Sequence, residues 1–193
     1  MEGPDELLAR VERHLADVFG PDTGRASVTF LGAEPIEILR FGPDADGLVR
    51  YVTRGMSRTP MGDPAAMTVD ATGPRAELVL SVRGRRDTVA RRLAVLAAVP
   101  AVEGVPVTAG AALAVGEPLW DGSSFTAVLV GEAGGLVDDL AVAPGTTVRF
   151  LPLLPMTPDE AAFKRAHGAA ELRQRWLADG CDLRDPDRPP ARL

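Results

Sequence analysis

Two histidines, three serines in turn-like sequence and one cysteine are the side chains here that could carry acid–base or nucleophilic chemistry. His14 stands among charged neighbours early in the chain, and His167 immediately precedes Gly168. An imidazole titrates near neutrality and can serve as general base to a hydroxyl nucleophile. Ser57, Ser123 and Ser124 are the hydroxyls to set beside it. Gly55-Met56-Ser57 lacks the second glycine of a nucleophile elbow, and a turn serine more often bonds its own backbone. Cys181 follows Gly180 at the end of an expected helix. The negative end of the helix dipole raises a thiol's pKa there and disfavours the reactive thiolate.

Metal and phosphate chemistry find no pattern. Neither histidine has another histidine or a cysteine at ligand spacing, so no zinc site is expected. The acids Asp138-Asp139 and Asp182, Asp185 and Asp187 lack the closing glutamate of a calcium loop and read as solvated loop acids. Gly104, Gly110 and Gly116 are too far apart to cradle a phosphate, and no Gly-Lys-Ser/Thr occurs. Arg83, Arg85, Arg86, Arg91 and Arg92 form a local basic cluster without interleaved aromatics, which reads as a solvated loop and helix start rather than a nucleic-acid surface. No catalytic residue, metal ligand or cofactor-binding residue is therefore assigned.

The elements that position these residues can be read along the chain. Leu7, Leu8, Val11, Leu15 and Val18 recur at helical spacing and predict an amphipathic helix over 4–19, with Pro4, Asp5 and Glu6 suited to its first turn and Gly20-Pro21 to its end. Alternating segments predict strands over 27–31, 36–41, 48–53 and 75–82, the second and third joined as a hairpin by the turn at 42–47. Residues 55–64 read as a loop, and a further short strand is expected to begin at Met67–Asp70. Asp87 or Thr88 is expected to cap a helix of about 88–98. A short strand near 111–115 interrupts an Ala/Gly-rich stretch, and strands follow at 125–130 and 147–154, the last nearly continuous in apolar residues and so expected to be central. Thr157-Pro158-Asp159-Glu160 has the pattern of a capping box. It predicts one long helix ending at Gly180, with Phe163, Ala166, Ala170, Trp176 and Leu177 buried and an extended tail over 182–193. The order predicts a single α+β domain over 1–193 with a mixed or largely antiparallel sheet flanked by helices.

Composition sets the frame. The 193 residues are 46% hydrophobic and 25% charged, which excludes a disordered, collagen-like or coiled-coil chain. The net charge of −6 disfavours nucleic acid as a partner and favours a basic one. One cysteine permits no internal disulfide and fits a reducing compartment. The N-terminus lacks a cationic start followed by an apolar block, and no apolar stretch nears the roughly 20 residues that span a bilayer, so a cytoplasmic protein without membrane contact is expected.

Two stretches, taken in order, resemble the Suppressor of fused (SUFU) domain family. The first is Tyr51-Val-Thr-Arg-Gly-Met-Ser-Arg-Thr-Pro-Met61, followed by a strand at Ala76-Glu77-Leu78-Val79. The second is Val148-Arg-Phe-Leu-Pro-Leu-Leu-Pro-Met-Thr-Pro-Asp-Glu160, continuing through Gly168-Ala-Ala-Glu-Leu172 to Asp185-Pro186-Asp187-Arg188. Order and spacing agree over about 35–190. The resemblance implies an α+β domain that binds other proteins and has no established catalytic residues. Animal members restrain Gli transcription factors through a protein with an additional C-terminal region, which 193 residues leave no room for. Bacterial members resemble immunity proteins that neutralise toxins, which implies a partner toxin, and the acidic charge implies a basic toxin domain. The turn at 55–61 reads first as structural, with Met56 and Met61 tucked under the sheet; its functional reading makes Met56, Ser57, Arg58 and Met61 the partner contacts, since methionines repack against varied surfaces. The alternatives are a small hydrolase or transferase using Ser57 with His14 or His167, and a protein-binding regulator unrelated to toxins. Oligomeric state is left open.

Overall fold

The computed structural model describes residues 3–62, 68 and 70–193. The first helix, α1 (Pro4–Phe19), buries Leu7, Leu8, Val11 and Leu15 and ends at Gly20, as its periodicity predicts. Val18 departs from the predicted stripe. It is exposed, because in the last turn Phe19 packs instead, its ring 5.3 Å from that of Phe41.

Strands β1 (Gly24–Val28), β2 (Ile36–Phe41), β3 (Leu48–Arg54) and β4 (Arg75–Arg83) form an antiparallel meander. The β2–β3 hairpin forms where the sequence places it. β1 lies three residues earlier than the alternation at 27–31 indicated, paired from Gly24↔Arg40 to Val28↔Ile36. Helix α2 (Val89–Glu103) follows. It runs past the predicted end, carries Pro100 in its last turn and stops at Gly104 in the left-handed region. Neither Asp87 nor Thr88 caps it through a side chain. Asp87 is engaged elsewhere, taking hydrogen bonds from the Tyr51 hydroxyl (2.9 Å) and Arg40 (2.8 Å) and pairing with Arg85. These donors outweigh partial burial and lower its pKa to about 2.

The second half contains β5 (Ala112–Ala114), β6 (Ala127–Val130), β7 (Leu140–Ala143) and β8 (Thr146–Met156). The sheet order is β1-β2-β3-β4-β8-β6-β5, with β7 also on β8. β8 is central, as its apolar run predicts, and its pairing with β4 is parallel while the other pairings are antiparallel. The sheet is mixed and the domain is α+β. The sequence reading misses β7, because its four residues, Leu-Ala-Val-Ala, are all apolar and show no polar–apolar contrast between faces. The start of the strand expected at Met67 lies outside the described residues.

Both faces of the sheet are covered. Ile36, Ile38, Tyr51, Leu78 and Leu80 pack with Leu93 and Leu96 of α2, whereas Leu39, Phe41, Val52, Val79 and Phe150 pack with Leu7, Val11 and Leu15 of α1. Each fully buried aliphatic side chain contributes about 1.5–3 kcal/mol of transfer free energy.

The single C-terminal helix of the sequence reading is two: α3 (Pro158–His167) and α4 (Ala169–Ala178). Gly168 breaks it with φ 91° and ψ 163°, a conformation glycine adopts without steric penalty. The change of direction corrects the predicted stripe. Ala161, Leu172 and Trp176 are buried, while Ala166, Ala170 and Leu177 are exposed, Leu177 to 84%. The tail contains no helix or strand, but it is turned and anchored, with Arg188 and Ala191 buried.

Candidate protein-binding surface

The chain leaves β3 at Arg54 and turns at Gly55, whose φ of 136° brings it against the Pro35 carbonyl. A one-turn 3-10 helix, Met56–Arg58, follows. So short a helix cannot satisfy its own ends, and β4 supplies both partners. At one end the Glu77 carboxylate accepts from Gly55 N (2.9 Å), Ser57 N (3.0 Å) and Ser57 Oγ (2.6 Å) through Oε1, and from Thr53 Oγ1 (2.6 Å) through Oε2. At the other, Arg75 Nη1 donates to the carbonyls of Ser57 and Arg58, each at 2.8 Å. Residues 75 and 77 share one face of β4, so a basic and an acidic residue at spacing two clamp the turn from opposite ends.

Glu77, Thr53 and Ser57 are fully buried. Burial is the dominant influence on Glu77 and pushes its carboxyl above the ordinary value of 4.5, against the opposing donors of Ser57, Thr53 and Gly55. The hydroxyl of Thr53 itself accepts from Leu78 N at 2.8 Å, so its proton is directed to Glu77. Both Glu77 oxygens and the Ser57 and Thr53 hydroxyls are engaged within the turn and its flanking strands. The arrangement fixes a loop; it offers no site where a substrate could meet a nucleophile and a base.

A second buried glutamate organises the C-terminal motif. Thr157 and Glu160 form the predicted capping box. Glu160 then does more than cap. Arg188 from the tail meets it with both terminal nitrogens, Nη1–Oε1 and Nη2–Oε2 at 2.8 Å each, and Trp176 Nε1 (3.1 Å) and Ala191 N (3.0 Å) donate to Oε1. The guanidinium also lies 4.8 Å from the Phe125 ring centroid and 5.5 Å from that of Trp176. Burial alone would raise the Glu160 pKa, but Arg188 and the amides of Ala191 and Thr157 outweigh it and hold the carboxyl below its ordinary range.

The residues weighed for catalysis are not brought together. Ser57 Oγ is on Glu77 rather than on its own backbone. His14 Nε2 lies 2.8 Å from the Asp138 carbonyl, and His167 Nδ1 lies 3.2 Å from that of Phe163. Burial raises the thiol pKa of Cys181. The arginine cluster is largely spoken for by ion pairs, Arg83 with Asp182, Arg85 with Asp87 and Arg92 with Glu117. Among the described residues no group of three or more His, Cys, Asp and Glu is placed to hold a metal ion, and no helix is long and apolar enough to cross a membrane.

Of the expected contact residues, Met56, Ser57 and Met61 are buried, as the structural reading of the turn has it, and the half-buried Arg58 pairs with Glu34 at 2.8 Å. That pair joins the loop to its neighbour. Residues 29–34 line an open cleft of about 560 Å³, and Leu31 stands fully exposed on it. The sequence reading does not single out Leu31, because Leu31 ends the alternation at 27–31 and so reads as part of a strand. The site thus pairs a fixed turn with an apolar side chain held in solvent.

The fold and these clusters define an α+β domain whose buried carboxylates serve structure and whose neighbouring loops present a surface. Comparison with known proteins supplies the family. The Suppressor of fused protein (SUFU) family model matches residues 32–189, and the chain belongs to that family. No curated protein matches it by sequence. A SUFU homolog from Neisseria gonorrhoeae FA 1090, solved at 1.40 Å resolution, has a similar fold, with a TM-score of 0.71, 21% identity and 96% of each chain covered. A chain in the Sufu–Fu complex structure aligns with a TM-score of 0.66 and 15% identity, over 95% of this chain and 91% of that one. Drosophila Suppressor of Fused aligns with a TM-score of 0.64 and 16% identity, over 94% of this chain and 50% of that one.

Proposed function

We propose that this chain is a non-catalytic protein-binding domain, and more specifically an immunity-type protein that binds and neutralises a partner toxin. The observation that carries the binding reading is the pairing of the clamped 55–61 turn with the fully exposed Leu31 across the Arg58–Glu34 bridge. On this reading Leu31 is the apolar anchor that a partner's pocket takes up, and the adjacent Arg58–Glu34 pair is its polar rim. Met56 and Met61 support the turn from below and adjust when a partner loads it, while Ser57 keeps the backbone in place. Family membership and the presence of a similar fold in the Sufu–Fu complex support a protein as the partner. The net charge of −6 supports a basic one, since opposite charge steers encounter.

The test is co-expression with the products of the genes that flank this one. A neutralised toxin, and a complex on a sizing column that Leu31→Asp and Arg58→Glu disrupt, is the expected outcome. Unprotected cells would refute the toxin assignment. A complex indifferent to both substitutions would refute the surface.

A further inference from the structure

A second surface, remote in sequence from the first, lies along α4. Arg173 and Leu177 share one face of α4, and with Trp176, Gly180, Leu154 and Leu183 they line an open groove of about 660 Å³. Its floor is apolar: Trp176 is buried, and Leu154 and Leu183 are half-buried against the same core. Leu177 projects from its wall at 84% exposure, in the position the broken helix turns outward. The rim is cationic. Arg173 makes no ion pair among the described residues, and Arg184 reaches the groove from the tail. Asp182 is the one acid there, and both of its oxygens are taken, by Arg83 at 2.7 Å and by Arg184 at 3.1 Å.

An apolar groove with a basic rim on an acidic protein selects its complement. We infer that this groove docks an acidic amphipathic helix of a partner protein, whose apolar stripe packs on Leu177 and over Trp176 while its carboxylates pair with Arg173 and Arg184. Such helix-in-groove recognition reads apolar anchors at spacings of three and four. The inference goes beyond the loop surface and does not depend on it: the two use distant parts of the sequence and share no residue.

Cys181, the sole cysteine, opens onto this groove and reports its occupancy. The experiment is selection of a helix-biased peptide library displayed on phage against the whole protein. Enriched peptides should combine Leu-type residues at i and i+4 with Asp or Glu, slow the alkylation of Cys181, and bind Leu177→Asp and Arg173→Glu about ten-fold more weakly. Exchanging the peptide's acids for lysines should restore binding to Arg173→Glu. Both substituted side chains point to solvent or lack an ion pair, so an unchanged thermal midpoint verifies that the variants are folded. Enrichment of basic or uncharged peptides, binding indifferent to both substitutions, or no enrichment at all would overturn the proposal. So would a concentration-dependent dimer abolished by Leu177→Asp, since the occupant would then be a second copy.

Discussion

Glu77 and Glu160 are both fully buried, and each belongs to one of the two motif stretches, yet they are stabilised in opposite ways. Glu160 is paired with a cation, and its carboxyl is held below the ordinary range. Glu77 meets only neutral donors, four of them, and burial prevails over these to push its carboxyl up. The difference follows from what each joins. Glu160 fastens a tail 28 residues away in sequence onto the start of α3, and a long reach needs a strong, bidentate partner. Glu77 holds a turn next to its own strand, where backbone amides suffice. One cluster is a strap across the domain, and the other is a local mould for a loop.

The comparison can be broken first at its stronger half. Arg188→Met removes the cation and leaves Glu160 buried and uncompensated, which should cost about 3–5 kcal/mol in urea unfolding. Replacing both partners, Glu160→Leu with Arg188→Met, should recover a large part of that loss. Glu77→Gln retains the shape but turns an acceptor group into one with an amide donor facing four donors. The expected loss is about 1–3 kcal/mol.

Stability measured against pH separates the two sites by sign. The Glu160 pKa is lowered on folding, so its contribution is present above the ordinary value of 4.5 and is lost as pH falls through the folded pKa. The Glu77 pKa is raised on folding, so the folded state binds the proton more tightly than the unfolded chain. Its contribution is largest below 4.5 and declines as pH rises through the folded pKa. The unfolding free energy of the wild type minus that of Glu77→Gln should therefore shrink as pH rises above 4.5, and that of the wild type minus Glu160→Gln should shrink as pH falls below 4.5. Equal slopes would remove the distinction. At the small end, Leu31→Asp touches no packed surface and should shift stability by under about 0.5 kcal/mol, while it abolishes partner binding.

Much of this was legible beforehand. The mixed sheet, the hairpin at 42–47, the central β8 and the Thr157–Glu160 cap all follow from local periodicity and capping chemistry. The failures have a common cause, which is that the deciding contact is distant. Asp87 has the look of a helix cap, but Arg40 and Tyr51 on neighbouring strands claim it. Gly168 sits in a continuous helical pattern, and its conformation is what divides it. At the candidate site, the turn at 55–61 could be located from its residues. Its mould could not, because an acid inside the apolar run Ala76–Leu80 announces burial only once Thr53 and Ser57 are seen to face it. Leu31 carries no signal in sequence at all, since exposure of a leucine depends on what fails to cover it.

The central claim is that Glu77 keeps the 55–61 turn rigid and so maintains the proposed binding surface. Amide hydrogen exchange at Gly55 and Ser57, compared between the wild type and Glu77→Gln under conditions where both remain folded, tests it most directly. The account predicts strong protection in the wild type and at least about ten-fold faster exchange at these two amides in the variant, with the β2–β3 amides little changed. Protection at Gly55 and Ser57 that survives the loss of the carboxylate would contradict it.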